Sequence, residues 1–492
     1  MDRQILKLLE LEDAATTTTA TSFDHFPLLI SDLCLSNDSK VLVGHTDSHW
    51  ATARMFASET ITMPKGRFGS RPIEILSTSA KTAYHAIATA LKPYLPHETR
   101  AQNWSEHRRF GTDRFEGYLI DIDVASCYEY IDHQILHEEI LLHSSSLTLS
   151  DAMISLLGGF MRNRRGLPQM LWASDVLADT YLSVIDRNLS RRDLSFHRYA
   201  DDIRVLSKEW DESTKIVESL ADLLRSIGLI PSDSKTYILK SESVSDPESE
   251  DRLFISSNFS TDPLAPDFDT ILMGGPYGGG TDPSRGEPQP DADEFELALR
   301  IIENKKGLKI EGPMKWLSMQ AMRSLRKRAD SVPEAPLLDL VYKNQTMIEY
   351  VCDYSIARAA NSLDLPNAQW SRLKALCSMP GEYTPWAKVW LLAAIESASE
   401  CDSSDRDAVI AWALRQLEDR HETVRAQSAW SLAQHKELGR SEFETLYGRS
   451  TALTQHGLAA AASRQGGLSG QIESAVRSDS PLNKAAWEWA KQ

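Results

Sequence analysis

The stretch Tyr199-Ala200-Asp201-Asp202 sets two adjacent carboxylates on a tight turn, between His197-Arg198 and the apolar-alternating run Ile203-Arg204-Val205-Leu206. Well upstream, Tyr118-Leu119-Ile120-Asp121-Ile122-Asp123-Val124 reads as a second acid-bearing strand that runs into a helix-like segment. Strands of alternating polarity bury one face. Carboxylates gathered at their ends offer the oxygen ligands that hard divalent cations require. A fold that unites the two segments makes one acidic centre of Asp123, Asp201 and Asp202. Either segment alone carries little weight, because adjacent aspartates are usually solvated charge at a hairpin tip.

Their companions change the odds. Asp123 is followed by Tyr128 and then by Ile131-Asp132-His133, which opens a helix. Gly166-Leu167-Pro168-Gln169 comes next, with Ser174 and the apolar helix Val176 to Leu182 downstream; after the acidic turn come Gly228-Leu229 and Lys235-Thr236. In this order, over roughly residues 60 to 240, the four motifs resemble the palm of a reverse transcriptase.

The resemblance implies metal-dependent nucleotidyl transfer. A 3′-hydroxyl attacking an α-phosphate builds charge on the attacking, leaving and equatorial oxygens, which two Mg²⁺ ions about 3.5–4 Å apart stabilise. Mn²⁺ is the alternative ion. Asp123 and Asp201 are the expected bridging ligands, with Asp202 turned to the other face to assist one ion or orient the primer end. Lys235 is the expected general acid or phosphate clamp; the plainer reading is an exposed lysine after a helix. Tyr128 is expected beneath the incoming ribose, where an aromatic excludes a 2′-hydroxyl and selects deoxynucleotides; the plainer reading is a core tyrosine. Gln169 belongs to the substrate-binding signature, and Arg71 and Lys81 lie where the family's nucleotide-contacting basic residues fall.

One position departs from the family pattern. Met170 follows Gln169 where glycine is usual, and Leu171-Trp172 follow where small residues and proline are common. Glycine lets the backbone approach the templating pair closely. Crowding by Met170 and Trp172 implies templating that is restricted or partly dispensed with; methionine as a simple gap-filler is the equal alternative.

At 492 residues with 42% hydrophobic content, the chain is long enough for about two to four domains. A net charge of −17 opposes phosphate binding, which lysine and arginine drive, so local basic patches must do that work. The candidates are Lys65, Arg67 and Arg71, then Arg108-Arg109 and Arg114, and Arg162, Arg164 and Arg165. Cys34, Cys127, Cys352, Cys377 and Cys401 lack metal or disulfide spacing. His133 and His137 do not form a His-Glu-x-x-His motif. With no amino-terminal signal and no membrane-spanning stretch, a cytoplasmic location is expected.

The expected class is α+β: right-hand polymerase fingers and palm, followed by an all-α, HEAT-like repeat domain. Residues 1–60 have no clear role, and Ala14 to Thr19 reads as a flexible joint. Residues 61–240 form fingers and palm, with strands within Arg67 to Leu76 and helices at Ser79 to Leu91, Ala152 to Phe160, Asp175 to Asn188 and Glu212 to Ile227. Residues 241–294 read as a linker or exposed loop whose cluster Gly274 to Gly280 lacks P-loop context. In 295–492, Thr384-Pro385 caps a helix, and paired apolar faces recur around Val389, Trp412 and Trp430.

A palm joined to a helical-repeat domain resembles the bacterial abortive-infection group of defence-associated reverse transcriptases. The resemblance implies antiphage defence, DNA synthesis that is protein-primed or untemplated, partners in dNTPs and RNA or single-stranded DNA, homo-oligomers, and in some relatives a dedicated noncoding RNA. Two alternatives stand beside it: retron-like templated cDNA synthesis from a cognate noncoding RNA, and a nucleic-acid-binding protein with a vestigial polymerase.

Overall fold

In the computed structural model, residues 5, 9–52, 55–66, 69–99, 104–113, 115–244, 246–259, 292–326, 328 and 331–492 are described. Arg67, Arg114 and the glycine cluster 274–280 lie outside them. The strands are β1 (Ser58–Pro64), β2 (Ser70–Leu76), β3 (Tyr118–Asp123), β4 (Phe196–Tyr199), β5 (Asp202–Ser207) and β6 (Tyr237–Lys240). The chain divides into two compact units, one holding residues 84–263 and the other residues 11–83 together with 287–492.

The first unit is built on a four-stranded antiparallel sheet in the order β4-β5-β3-β6. Its alternating sequence explains it: Ile203, Val205 and Ser207 of β5 are buried while the residues between them are partly exposed. Helix Trp210–Ser226 packs on β3 and β5, burying Ile216, Leu220 and Leu224 at a spacing of one helical turn. Helix Trp172–Arg191 buries twelve of its residues. Gly117 opens β3 at φ +140°, and a Cβ there would come within 2.1 Å of the Ser207 carbonyl, so only glycine fits the approach.

In the second unit β1 and β2 form a hairpin. Glu59 of β1 accepts hydrogen bonds from the backbone N–H groups of Glu422 and Thr423 at 2.7 and 3.0 Å. It thereby caps the N-terminus of helix Glu422–Gln434, whose first N–H groups lack intrahelical partners. That bond helps explain why the hairpin groups with the carboxy-terminal helices. Lys81 is enclosed in the same unit, donating to Asp32 Oδ2 at 2.9 Å and to the carbonyls of Thr18 and Thr21.

Two expectations are corrected here. Ala14 to Thr19 is no joint: it lies in helix Leu11–Ala20, with Leu11, Ala14, Ala15, Thr18 and Thr19 buried. These positions make one helical face, which the low-complexity composition hides. Part of the expected linker is also helical, over Pro247–Asn258, with Asp246 as N-cap and proline at the first turn.

The carboxy-terminal helices pack next-but-one: Ile348–Ala360, Pro385–Glu396, Glu422–Gln434, Gln455–Gln465 and Pro481–Trp489 contact in succession. Thr384 caps the second of these, accepting from Ala387 N. Ion pairs recur at one interval: Lys374–Asp405, Lys388–Asp419, Arg406–Glu437 and Arg449–Glu418 each join residues 31 apart.

Candidate active site

β3 and β5 set Asp123 directly opposite Asp202. Opposed residues of an antiparallel pair leave the sheet on the same face, so Asp202 does not turn away from Asp123 as expected. Asp201 lies on the turn between β4 and β5, and its carbonyl accepts from Val124 N at 3.3 Å. Burial, then the charges of Asp201 and Asp123, push the Asp202 carboxyl up to about 7, against the pull of Lys235. Lys235 Nζ donates to Asp123 Oδ1 at 2.7 Å. Partial burial works against its charge, but the hydrogen bond and charge of Asp123, with Asp202 and Asp201, outweigh that and raise its pKa.

Among the described residues no three His, Cys, Asp or Glu side chains form a ready metal cage. Asp123 is instead held by an ammonium, and Asp202 keeps a proton near neutrality. A carboxyl held up by burial and by two neighbouring carboxylates, one of which draws in a lysine, marks a site short of positive charge. Their hard oxygen donors fit Mg²⁺ or Mn²⁺, and Asp123, Asp201 and Asp202 are the residues that would hold it.

Around this centre the second motif is pinned from several sides. Tyr128 donates its hydroxyl to Asp175 Oδ1 at 2.6 Å, which fixes the half-buried ring. Leu167 N donates to Tyr128 O and Gly166 N to Ile131 O, both at 2.8 Å. His133 Nε2 donates to Gly166 O at 2.8 Å. Ser174 Oγ donates to Pro168 O at 2.5 Å and meets the Tyr84 hydroxyl at 2.8 Å. Gln169 is half-buried in the loop so held.

Met170 has φ +67°. The backbone thus keeps the left-handed conformation that glycine adopts freely, and a β-substituted residue holds it at a cost of about 1–2 kcal/mol. Trp172 is drawn toward other partners: its indole donates to Glu98 Oε2 at 3.0 Å and lies 4.9 Å from Lys92 Nζ.

The structure brings Asp123, Asp201, Asp202 and Lys235 together and ties Tyr128 to the loop of Gln169. Lys81 is corrected: its side chain has no exposure, and its ammonium is paired with Asp32 and lies over the Phe23 ring, leaving no access for a phosphate. Arg71 is on β2 in the second unit, where its charge adds to the burial that lowers the Lys315 pKa.

Sequence reasoning missed the support of the acidic turn. Buried Arg198 donates to Asp186 Oδ1 and Oδ2 at 2.8 and 2.6 Å, to Asp179 Oδ1 at 2.7 Å and to Ala200 O at 2.9 Å. Thr99 Oγ1 donates to Asp179 Oδ1 and accepts from Ala200 N, both at 2.8 Å. Both backbone polar groups of Ala200, which has φ +53°, are therefore clamped. The available signal was Asp179 itself, a carboxylate inside the apolar run Val176 to Leu182, since a buried charge requires a partner. Asp121 was also passed over; it pairs with Arg204 at 3.1 Å.

The antiparallel sheet thus gathers three aspartates beside a lysine where β3 and β5 meet the turn. Residues 63–247 match the family described as reverse transcriptase (RNA-dependent DNA polymerase). The chain therefore carries a reverse transcriptase domain, the catalytic domain of an RNA-directed DNA polymerase.

No curated protein matches the sequence. Among solved structures, the chain is similar to telomerase from Candida albicans in complex with a TWJ fragment of telomeric RNA, at 11% identity and a TM-score of 0.32, covering 73% of this chain and 66% of that one. Telomerase from Candida tropicalis with the corresponding fragment gives 12% identity and 0.31, covering 75% and 67%. Its apo form gives 12% and 0.31, covering 70% and 68%.

Proposed function

We propose that the chain is a divalent-metal-dependent DNA polymerase that adds deoxynucleotides at Asp123, Asp201 and Asp202 and acts in antiphage, abortive-infection-type defence. The observation that carries the polymerase reading is the placement of the aspartates, with Asp123 opposed to Asp202 across β3 and β5, Asp201 on the adjoining turn and Lys235 drawn onto Asp123. Bound there, Mg²⁺ would supply charge stabilisation for an in-line displacement at phosphorus. Asp123 and Asp202, opposed across β3 and β5, fix the spacing of the ligands. Lys235, tethered at the same carboxylates, is placed to give its proton to a leaving pyrophosphate. Tyr128, locked by Asp175, presents a rigid ring for sugar selection.

The defence assignment rests on the pairing of this palm with a helical domain. The recurring interval of 31 residues supports a repeat of helix pairs there. We place the protein in the cytoplasm, acting on dNTPs with RNA or single-stranded DNA as partner, and as a homo-oligomer. Met170, holding the left-handed backbone of a glycine, favours a templating site that retains its usual course, so synthesis on a cognate RNA is the second reading. The test is recovery of nucleic acid from the purified protein, followed by nuclease typing, alongside phage plating. DNase-sensitive product and protection that are both lost in Asp201→Ala/Asp202→Ala support the proposal. Protection that persists in that variant contradicts it.

A further inference from the structure

We infer that the exposed turn carrying Arg162, Arg164 and Arg165 grips the sugar-phosphate backbone of a single strand of nucleic acid. The inference rests on the polymerase reading and names the surface that would hold its strand. The chain has 70 acidic against 53 basic residues, and its other arginines show what usually follows: Arg108 pairs with Asp251, Arg187 with Glu139 and Arg204 with Asp121. All three arginines of the turn are exposed. Among the described residues, no ion pair engages any of them. In an acid-rich chain, three neighbouring arginines left without carboxylates point to an anion from outside.

The backbone of the turn is held in an unusual shape. Asn163 and Arg164 have φ of +61° and +52°, two successive non-glycine residues in the left-handed region. Each costs about 1–2 kcal/mol, and such strain persists where surrounding structure imposes it, commonly at ligand clamps. The anchors are close at hand: the backbone of Arg165 forms an isolated antiparallel β-bridge with that of Asp132, and Gly166 N donates to Ile131 O at 2.8 Å. The turn is thus fixed to the segment that carries Tyr128, so a phosphate bound here keeps a set register to the sugar-selecting ring.

Arg165 lies over the ring of Tyr130 at 5.1 Å, and Tyr130 is 45% exposed. Stacking uses the flat face of the guanidinium and leaves its in-plane N–H donors for a phosphate. Arginines interleaved with an exposed aromatic suit a single strand, whose bases can stack while its phosphates are tracked.

The test is fluorescence anisotropy of the full-length protein with labelled single-stranded RNA and DNA oligonucleotides, without dNTPs, over a range of KCl concentrations. Each phosphate contact in a single strand contributes about 0.7 to the slope of log affinity against log salt. Arg162→Gln/Arg164→Gln/Arg165→Gln should therefore reduce the slope by about 2, a loss of about 100-fold in the affinity gained on going from about 1 M to 0.1 M salt. The corresponding triple lysine variant should keep most of the slope, and Arg225→Gln, which removes an exposed arginine paired with Asp222, should keep it all. An unchanged slope in the glutamine variant, or an equal fall in Arg225→Gln, overturns the inference. Binding that responds as expected in a protein that never incorporates dNTPs would retain this surface while removing the polymerase reading.

Discussion

Replacing Thr99 with valine cuts the clamp on the acidic turn while preserving side-chain shape. Thr99 Oγ1 both donates to Asp179 Oδ1 and accepts from Ala200 N, and Asp179 and Ala200 are 1% and 8% exposed. Valine leaves a buried N–H and one carboxylate lone pair unmet, at about 1–3 kcal/mol for the stranded groups. Holding Ala200 left-handed costs about 1–2 kcal/mol, so a turn freed from Thr99 relaxes toward an ordinary conformation. At about 1.4 kcal/mol per factor of ten, incorporation should slow about tenfold, in kcat more than in KM, because the turn positions ligands rather than the nucleotide. Glycine adopts the left-handed region without steric cost; Ala200→Gly placed in the Thr99→Val background should therefore recover most of the rate. Steady-state incorporation with urea melts on the three variants decides the matter. A Thr99→Val enzyme at full rate, or a double variant as slow as the single one with a native-like melt, would falsify the positioning role. Arg198→Met should be harsher, destabilising by about 3–5 kcal/mol because Asp179 and Asp186 lose their counter-charge.

Tyr128→Val should raise ribonucleotide incorporation while Tyr128→Phe, which loses only the bond to Asp175, keeps sugar discrimination; equal discrimination in all three proteins contradicts the assignment. Met170→Gly should raise the unfolding free energy measured by urea melts by about 0.5–1 kcal/mol once glycine's own entropy is counted; a lower value shows the side chain to be the stronger determinant. In EDTA, Asp202→Asn should gain stability over wild type as pH rises. A carboxyl raised to about 7 stabilises the fold only while protonated, and that contribution is lost between its unfolded pKa near 4 and its folded one. With solvent screening the gain is on the order of 1–2 kcal/mol by pH 8, and Mg²⁺ should remove it; a gain that is flat from pH 5 to 8 refutes the charge cluster.

That Asp123, Asp201 and Asp202 come together was legible because the carboxylates stand at the ends of two period-two strands, with motifs between them that resemble a reverse transcriptase palm. Lys235 and Tyr128 came from the resemblance of their motifs to that family, and the presence of the helices, though not every boundary, from apolar periodicity. What the sequence hid is pairing between distant segments. Lys81 is indistinguishable in sequence from a phosphate-binding lysine until Asp32 is seen to cover it. Glu59 gives no hint that it caps a helix 363 residues away, and so none that the β1–β2 hairpin groups with the carboxy-terminal helices. Ala14 to Thr19 misled because threonine-rich composition signals a joint, whereas burial of one face decided for helix. Arg198 stood beside the most informative motif and was still passed over, since its value lies in Asp179 and Asp186 on another element.

Incorporation of labelled dNTPs by the purified full-length protein, measured with Mg²⁺, with EDTA, and after replacing Asp123 by asparagine, tests the acidic centre most directly. Incorporation in Mg²⁺ alone, abolished by the chelator and by Asp123→Asn in a protein that still melts cooperatively, is the predicted result. Undiminished incorporation by the Asp123→Asn protein would place the chemistry elsewhere.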